Sequence, residues 1–133
     1  MIFGIGTDVL KLDRVERLWS EYGENFARRI LLEEEHKYFE RSRNKGRFLA
    51  MRFAAKEAIV KAMGTGFAHG IWVRDVGSVP DERGQPQVIY SERGQSVCDE
   101  MGVGDGFLTL TDEAGLVVAV AILLKATPAE AGQ

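Results

Sequence analysis

The sequence predicts an α+β fold, an antiparallel sheet packed against one long central helix. Helical apolar spacing dominates residues 11–63, whereas strand-like runs separated by turn residues dominate from residue 70 onward. The last two apolar runs, FLTLT and LVVAVAILL, flank the short turn DEAG, which fits a hairpin.

Taken in order, MIFGIG is apolar throughout and reads as a strand. From Lys11 to Tyr22 the apolar positions Leu12, Val15, Leu18 and Trp19 have helical spacing. Asn25–Leu31 and Leu32–Arg41 read as two further short helices, and RSRNKGR as a loop or a helix entrance. The longest helix is expected from Phe48 to Met63, with Gly64 as its stop. GIWVRDVGSV then reads as a strand, PDERGQP as a turn and QVIY as the returning strand. Ser91 suits the N-cap of a helix reaching Met101, with Gly102 beyond its end. Residues 1–125 are expected to form one domain, and 126–133, ATPAEAGQ, a flexible tail.

The chain has 133 residues, 45% of them hydrophobic and 28% charged, the size and composition of a single globular domain. No apolar run approaches the ~20 residues that cross a bilayer, so membrane insertion is not expected. The N-terminus lacks a basic leader and reads as mature structure. The single cysteine, Cys98, allows no internal disulfide; a cytoplasmic protein is the simplest expectation, with Cys98 a small apolar filler on a helix. Charge is uneven. Residues 11–61 hold 13 Lys and Arg against 9 Asp and Glu, and residues 62–133 hold 4 against 10. A basic first half suits phosphates or an acidic protein partner, or is simply a solvated helical surface. Nucleic acid is not expected, because there is no basic tail, no zinc spacing and no aromatic-basic interleaving.

The stretch RFAAKEAIVKAMGTG, Arg52 to Gly66, places charges on an otherwise smooth helix. Glu57 and Lys61 are four residues apart and share a face; Arg52 and Lys56 form a second such pair. A surface ion pair worth a few tenths of a kcal/mol is one reading of Glu57 and Lys61. The small apolar neighbours and the GTG turn favour another, a ligand approaching closely. In GIGTD a strand delivers Asp8 after two glycines, either towards a ligand or as the N-cap of the next helix. Asp8 and Glu57 together suit a hard cation such as Mg²⁺, and with Lys61 they form a set fitted to phosphoryl chemistry. His36 is expected to face solvent and His69 to lie in a loop.

GIGTD and RFAAKEAIVKAMGTG, at their separation, closely resemble the motifs of the holo-(acyl carrier protein) synthases, the short 4′-phosphopantetheinyl transferases. The resemblance extends through DERGQP and the final hairpin. It implies the 4′-phosphopantetheinyl transferase fold. It also implies Mg²⁺-dependent transfer of phosphopantetheine from coenzyme A to a serine of apo-acyl carrier protein, in fatty acid biosynthesis. The family's metal-binding acids fall on Asp8 and Glu57, and its phosphate-contacting lysine on Lys61. Arg43, Lys45, Arg47 and Arg52 would lie near the adenosine end of coenzyme A, Gly64, Thr65 and Gly66 along the diphosphate, and Pro86 at the adenine. Arg14 would face acidic residues of the carrier protein. A homotrimer with sites at subunit boundaries is implied too. Many members carry a histidine in the last hairpin turn, where this chain has Asp112 and Glu113. Proton removal from the serine is then expected from a metal-associated water or from Asp112. The alternative is a non-catalytic module that binds coenzyme A or a carrier protein.

Overall fold

The computed structural model describes residues 1–128. Its order is β1 (Ile2–Lys11), α1 (Leu12–Tyr22), α2 (Glu24–Ile30), α3 (Glu33–Arg41), α4 (Lys45–Met63), β2 (Val76–Pro80), β3 (Pro86–Tyr90), α5 (Glu92–Met101), β4 (Val103–Glu113) and β5 (Leu116–Lys125). β1, β5 and β4 form an antiparallel sheet in that order, and β2 and β3 form a separate antiparallel pair. The expected α+β architecture is therefore present, with two sheets where one was expected.

α4 is the axis of the molecule. Leu49, Ala50, Ala54, Ala55, Ala58, Ile59, Val60, Ala62 and Met63 are all buried, so the helix is enclosed on nearly every side. It begins three residues before the expected Phe48, because the Asn44 side chain caps it by accepting from the Arg47 N–H at 3.1 Å. Gly64 ends it in the left-handed conformation.

The glycines of GIGTD have a packing role that their reading as a carboxylate-presenting strand end did not contain. A Cβ on Gly4 would stand 1.9 Å from the Ala62 carbonyl oxygen, and one on Gly6 would stand 2.0 Å from that of Ala58. Only glycine lets β1 lie directly on the α4 backbone at these two points. Along β1, Gly4, Gly6, Asp8 and Leu10 turn to α4, and Ile5, Thr7 and Val9 turn away.

β5 lies between β1 and β4. Its Val117, Ala119, Ala121 and Leu123 are buried against α4, whereas Val118, Val120 and Ile122 are only partly covered. Across the strands, Ile5, Ile122 and Phe107 form one lane and Val9, Val118 and Thr111 another. Ile5, Val9 and Phe107 are 61%, 59% and 57% exposed, so the outer face of this sheet is an open apolar surface. The hairpin turn carries positive φ at both Ala114 (54°) and Gly115 (78°), the geometry that matches the twist of paired strands.

Three local expectations change. Asp8 lies within β1, and the N-cap of α1 is Lys11, so Asp8 caps no helix. The strand expected over GIWVRDVGSV is in part a 3₁₀ turn, Val73–Asp75, closed by the Trp72 N–H donating to Asp75 Oδ2 at 2.8 Å. His36, expected in solvent, is half-buried between Glu24 and Glu40. Of the expected tail, Ala126 donates its N–H to the Gly102 carbonyl, and residues 129–133 lie outside the described residues.

Candidate active site

Asp8 on β1 and Glu57 and Lys61 on α4 come together where strand and helix lie against each other. Helical side chains tilt towards the helix N-terminus, so Lys61 leans back over the turn that carries Glu57. Its Nζ donates to Asp8 Oδ1 and to the Thr7 carbonyl, both at 3.1 Å. The Asp8 side chain is 14% exposed and that of Lys61 50%, so the carboxylate is recessed and the ammonium stands at the rim.

Burial pushes the Glu57 carboxyl above the ordinary glutamate range, and the Asp8 charge pushes it further; Lys61 and Arg14 oppose both. Two consequences follow. The two carboxylates are close enough to repel, and Arg14 on α1 stands within electrostatic reach of the same cluster. A cation held between Asp8 and Glu57 would relieve the repulsion. No group of three or more His, Cys, Asp or Glu suited to a metal occurs among the described residues. Two hard oxygen donors in a half-open position fit Mg²⁺, which takes few protein carboxylates and keeps sites for water and phosphate oxygens.

At the end of α4, the N–H groups of Gly64, Thr65 and Gly66 all donate to the Val60 carbonyl, at 3.1, 3.2 and 3.2 Å. The Thr65 hydroxyl donates to the Gly66 carbonyl. What this turn offers a ligand is therefore close approach without side-chain bulk, not a set of free backbone donors.

The basic residues assigned to coenzyme A divide into two groups. Arg43 is exposed on the loop before α4. Arg47, also exposed, grips Asp112 on β4 with two hydrogen bonds, Nε to Oδ2 at 3.0 Å and Nη2 to Oδ1 at 2.7 Å. That pairing holds the Asp112 carboxyl below the ordinary aspartate range. The other two cations are used inside the chain. Lys45 donates to the carbonyls of Phe39, Glu40 and Ser42 at the end of α3 and lies over the Phe39 ring. Arg52 turns inward, its guanidinium 4.3 Å from the centre of the Phe48 ring and its Nε 3.7 Å from Glu35 Oε2. Pro86 opens β3, paired with Pro80 in the second sheet.

Arg52 and Lys56 share one face of α4, as their spacing indicates, but that face is turned inward. Both turn towards Glu35, and Glu35 and Lys56 are completely buried. A signal for this was present: Leu32, Glu35 and Phe39 share one helical stripe, so Glu35 occupies an apolar position. Cys98 is buried as expected of a filler, and burial pushes its thiol up to about 11. A cavity of about 670 Å³ opens between Gln87, Tyr90, Asp99 and Phe107, and none of the assigned residues lines it.

The model of the 4′-phosphopantetheinyl transferase superfamily matches residues 4–121, which take in most of β1, all of α4 and most of the final hairpin. The chain belongs to the 4′-phosphopantetheinyl transferase superfamily. Within the superfamily, a holo-(acyl-carrier-protein) synthase of Vibrio cholerae is 43% identical over 123 residues, 92% of this chain and 98% of that protein. The solved holo-(acyl-carrier-protein) synthase of Neisseria meningitidis superposes with a TM-score of 0.88 at 38% identity, covering 94% of this chain and all of that one. The Bacillus anthracis synthase, solved with coenzyme A (3′,5′-ADP), superposes with a TM-score of 0.77 at 31% identity, covering 96% of this chain and 99% of that one. The expected transferase fold is thus the observed fold.

Proposed function

We propose that this chain transfers the 4′-phosphopantetheine arm of coenzyme A to a serine of an apo-acyl carrier protein. The observation that carries the proposal is the cluster of Asp8, Glu57 and Lys61 beside the bare turn at Gly64–Gly66. The serine hydroxyl gives its proton to a water at the site, and its oxygen attacks the phosphorus on the pantetheine side of the diphosphate. The bond from that phosphorus to the bridging oxygen breaks, and adenosine 3′,5′-bisphosphate departs with the electron pair. Asp8 and Glu57 would hold Mg²⁺, which neutralises diphosphate charge when bound. Lys61 supplies a positive charge at the rim, where the leaving oxygen becomes anionic. Arg14, exposed on α1 and near Glu57, faces the acidic surface of the carrier protein. The carrier protein is that of fatty acid synthesis, in the cytoplasm.

We infer further that the chain works as a homotrimer. The open apolar sheet face around Ile5, Val9 and Phe107 supports self-association, since a surface of that kind marks an interface.

Asp112 is best read as an orienting partner of Arg47. A carboxylate held ionised by an arginine is a weak proton acceptor at neutral pH. Asp112→Asn should therefore raise the KM for coenzyme A severalfold, because Arg47 loses its bidentate anchor, and should change kcat little. A collapse of kcat at unchanged KM would return proton transfer to Asp112.

The direct test mixes the purified chain with apo-acyl carrier protein, coenzyme A and Mg²⁺, then weighs the carrier protein by mass spectrometry. A gain of one phosphopantetheine, abolished by chelator, is the expected result. Bound coenzyme A with no gain in mass would leave the binding-module reading instead.

A further inference from the structure

Lys56 and Glu35 form an ion pair at the centre of the chain, and both side chains are fully buried. Lys56 Nζ donates to Glu35 Oε1 and to the Val76 carbonyl, both at 2.6 Å. Glu35 also accepts from the Leu32 N–H at 3.0 Å and from the Ser78 N–H at 3.1 Å. A Cβ on Gly77 would stand 2.6 Å from the Glu35 carboxyl carbon, so β2 is packed tightly onto the pair. One lysine thus ties the middle of α4 to the start of α3 and to β2.

Stability does not explain this arrangement. Removing two charges from water is costly, and well-packed apolar side chains of similar size usually serve the fold as well or better. The rest of the α4 surface shows what the pair adds. Where β1 crosses it, the contact is glycine against helix backbone at Ala58 and Ala62. Ala50, Ala54, Ala55, Ala58 and Ala62 are all buried, so much of the packed surface is shallow. Such a surface sets the distance between helix and sheet closely, but it resists rotation of the helix about its own axis poorly. The directional bonds of Lys56 supply that resistance.

Glu57 is the next residue, about 100° further around the helix. A carboxylate about 5–6 Å from the helix axis moves about 1 Å for each 10° of rotation. A misplacement of that size can cost about 10²-fold in rate.

We propose that Lys56 and Glu35 are positioning residues for the transfer site, fixing the rotation of α4 so that Glu57 and Lys61 meet Asp8. The inference rests on the reading of these three residues as that site. Glu35 and Lys56 are changed together to methionine, which preserves length and removes both members of the pair; Arg52, whose Nε is 3.7 Å from Glu35 Oε2, loses that neighbour but keeps its place over the Phe48 ring. The double variant should melt within a few degrees of the wild type. Its kcat should fall on the order of 10²-fold while its KM for coenzyme A stays within severalfold. Glu35→Asp, which keeps both charges and shortens the link by one methylene, should show a smaller loss in kcat alone. A folded double variant with wild-type kcat overturns the inference. So does failure of both variants to fold, since the pair would then be needed for stability. If wild-type protein adds no phosphopantetheine, the reading of the site falls and the inference falls with it; an active wild type with an unimpaired double variant removes the inference alone.

Discussion

Replacing Glu57 with glutamine should slow phosphopantetheine transfer on the order of 10²–10³-fold and leave the fold intact. Glutamine has the shape of glutamate but lacks the charge that would hold a cation at the proposed site. Glu57 stands at the edge of the core, where its carboxyl is pushed upward by burial and then by Asp8. A carboxyl raised in the folded state destabilises that state once the pH exceeds its unfolded pKa, because ionisation is then harder folded than unfolded. At neutral pH and without divalent cation, Glu57→Gln should therefore melt at or above the wild-type temperature. The difference should shrink as the pH falls below the ordinary glutamate range, where the carboxyl is neutral in both states. The sites of activity and of strain would then coincide, as expected where function is maintained against stability. Steady-state transfer assays and thermal melts across pH read both halves. A variant that melts lower and transfers normally would make Glu57 a structural residue and remove it from the site.

The legible parts of this molecule were those governed by short-range pattern. The end of α4 at Gly64, the Ser91 cap of α5 and the final hairpin follow from local chemistry, and all three stand where the residues indicate. The pairing of Asp8 with Lys61 was half legible. Helical spacing puts Glu57 and Lys61 on one face, but only the β1–α4 contact brings Asp8 to them. That contact depends on Gly4 and Gly6 for a reason the strand itself does not display: the helix backbone occupies the space where side chains would stand. Charge misled more than apolar pattern did. Lys45 and Arg52 read as one basic group with Arg43 and Arg47, and Lys56 as the partner of Arg52 on one helix face. Yet three of the five serve the interior, as a cap on α3 and as partners of a glutamate. A long cation on a helix has the reach to turn either way, and its direction depends on a partner distant in sequence, here Glu35. The second sheet was missed for a similar reason: a run of apolar residues announces a strand, not its neighbour.

Ile5→Asp combined with Phe107→Asp should leave each chain folded, separate the proposed trimer into monomers and abolish most of the transfer activity. The two side chains flank Ile122 in one lane of the β1–β5–β4 sheet, on the face turned away from α4. At 61% and 57% exposure they contribute little to the core of a single chain, so aspartate there costs the monomer little. Buried between subunits, each would contribute about 1.5–3 kcal/mol of hydrophobic stabilisation to a contact. An aspartate loses that contribution and adds the cost of desolvating a charge. Two such losses correspond to roughly 10²–10⁴-fold weaker association. Within one chain Asp8, Glu57 and Lys61 form a shallow cluster, while Pro86 lies on the second sheet. A neighbouring subunit would supply the wall that holds the rest of coenzyme A, so separation should remove activity and not merely reduce affinity. Sedimentation velocity, circular dichroism and the transfer assay on the same samples distinguish the outcomes. Folded monomers with full activity would show that one chain carries a complete site. An undisturbed oligomer would mean that subunits meet through another surface, and the open sheet face would then need a different occupant.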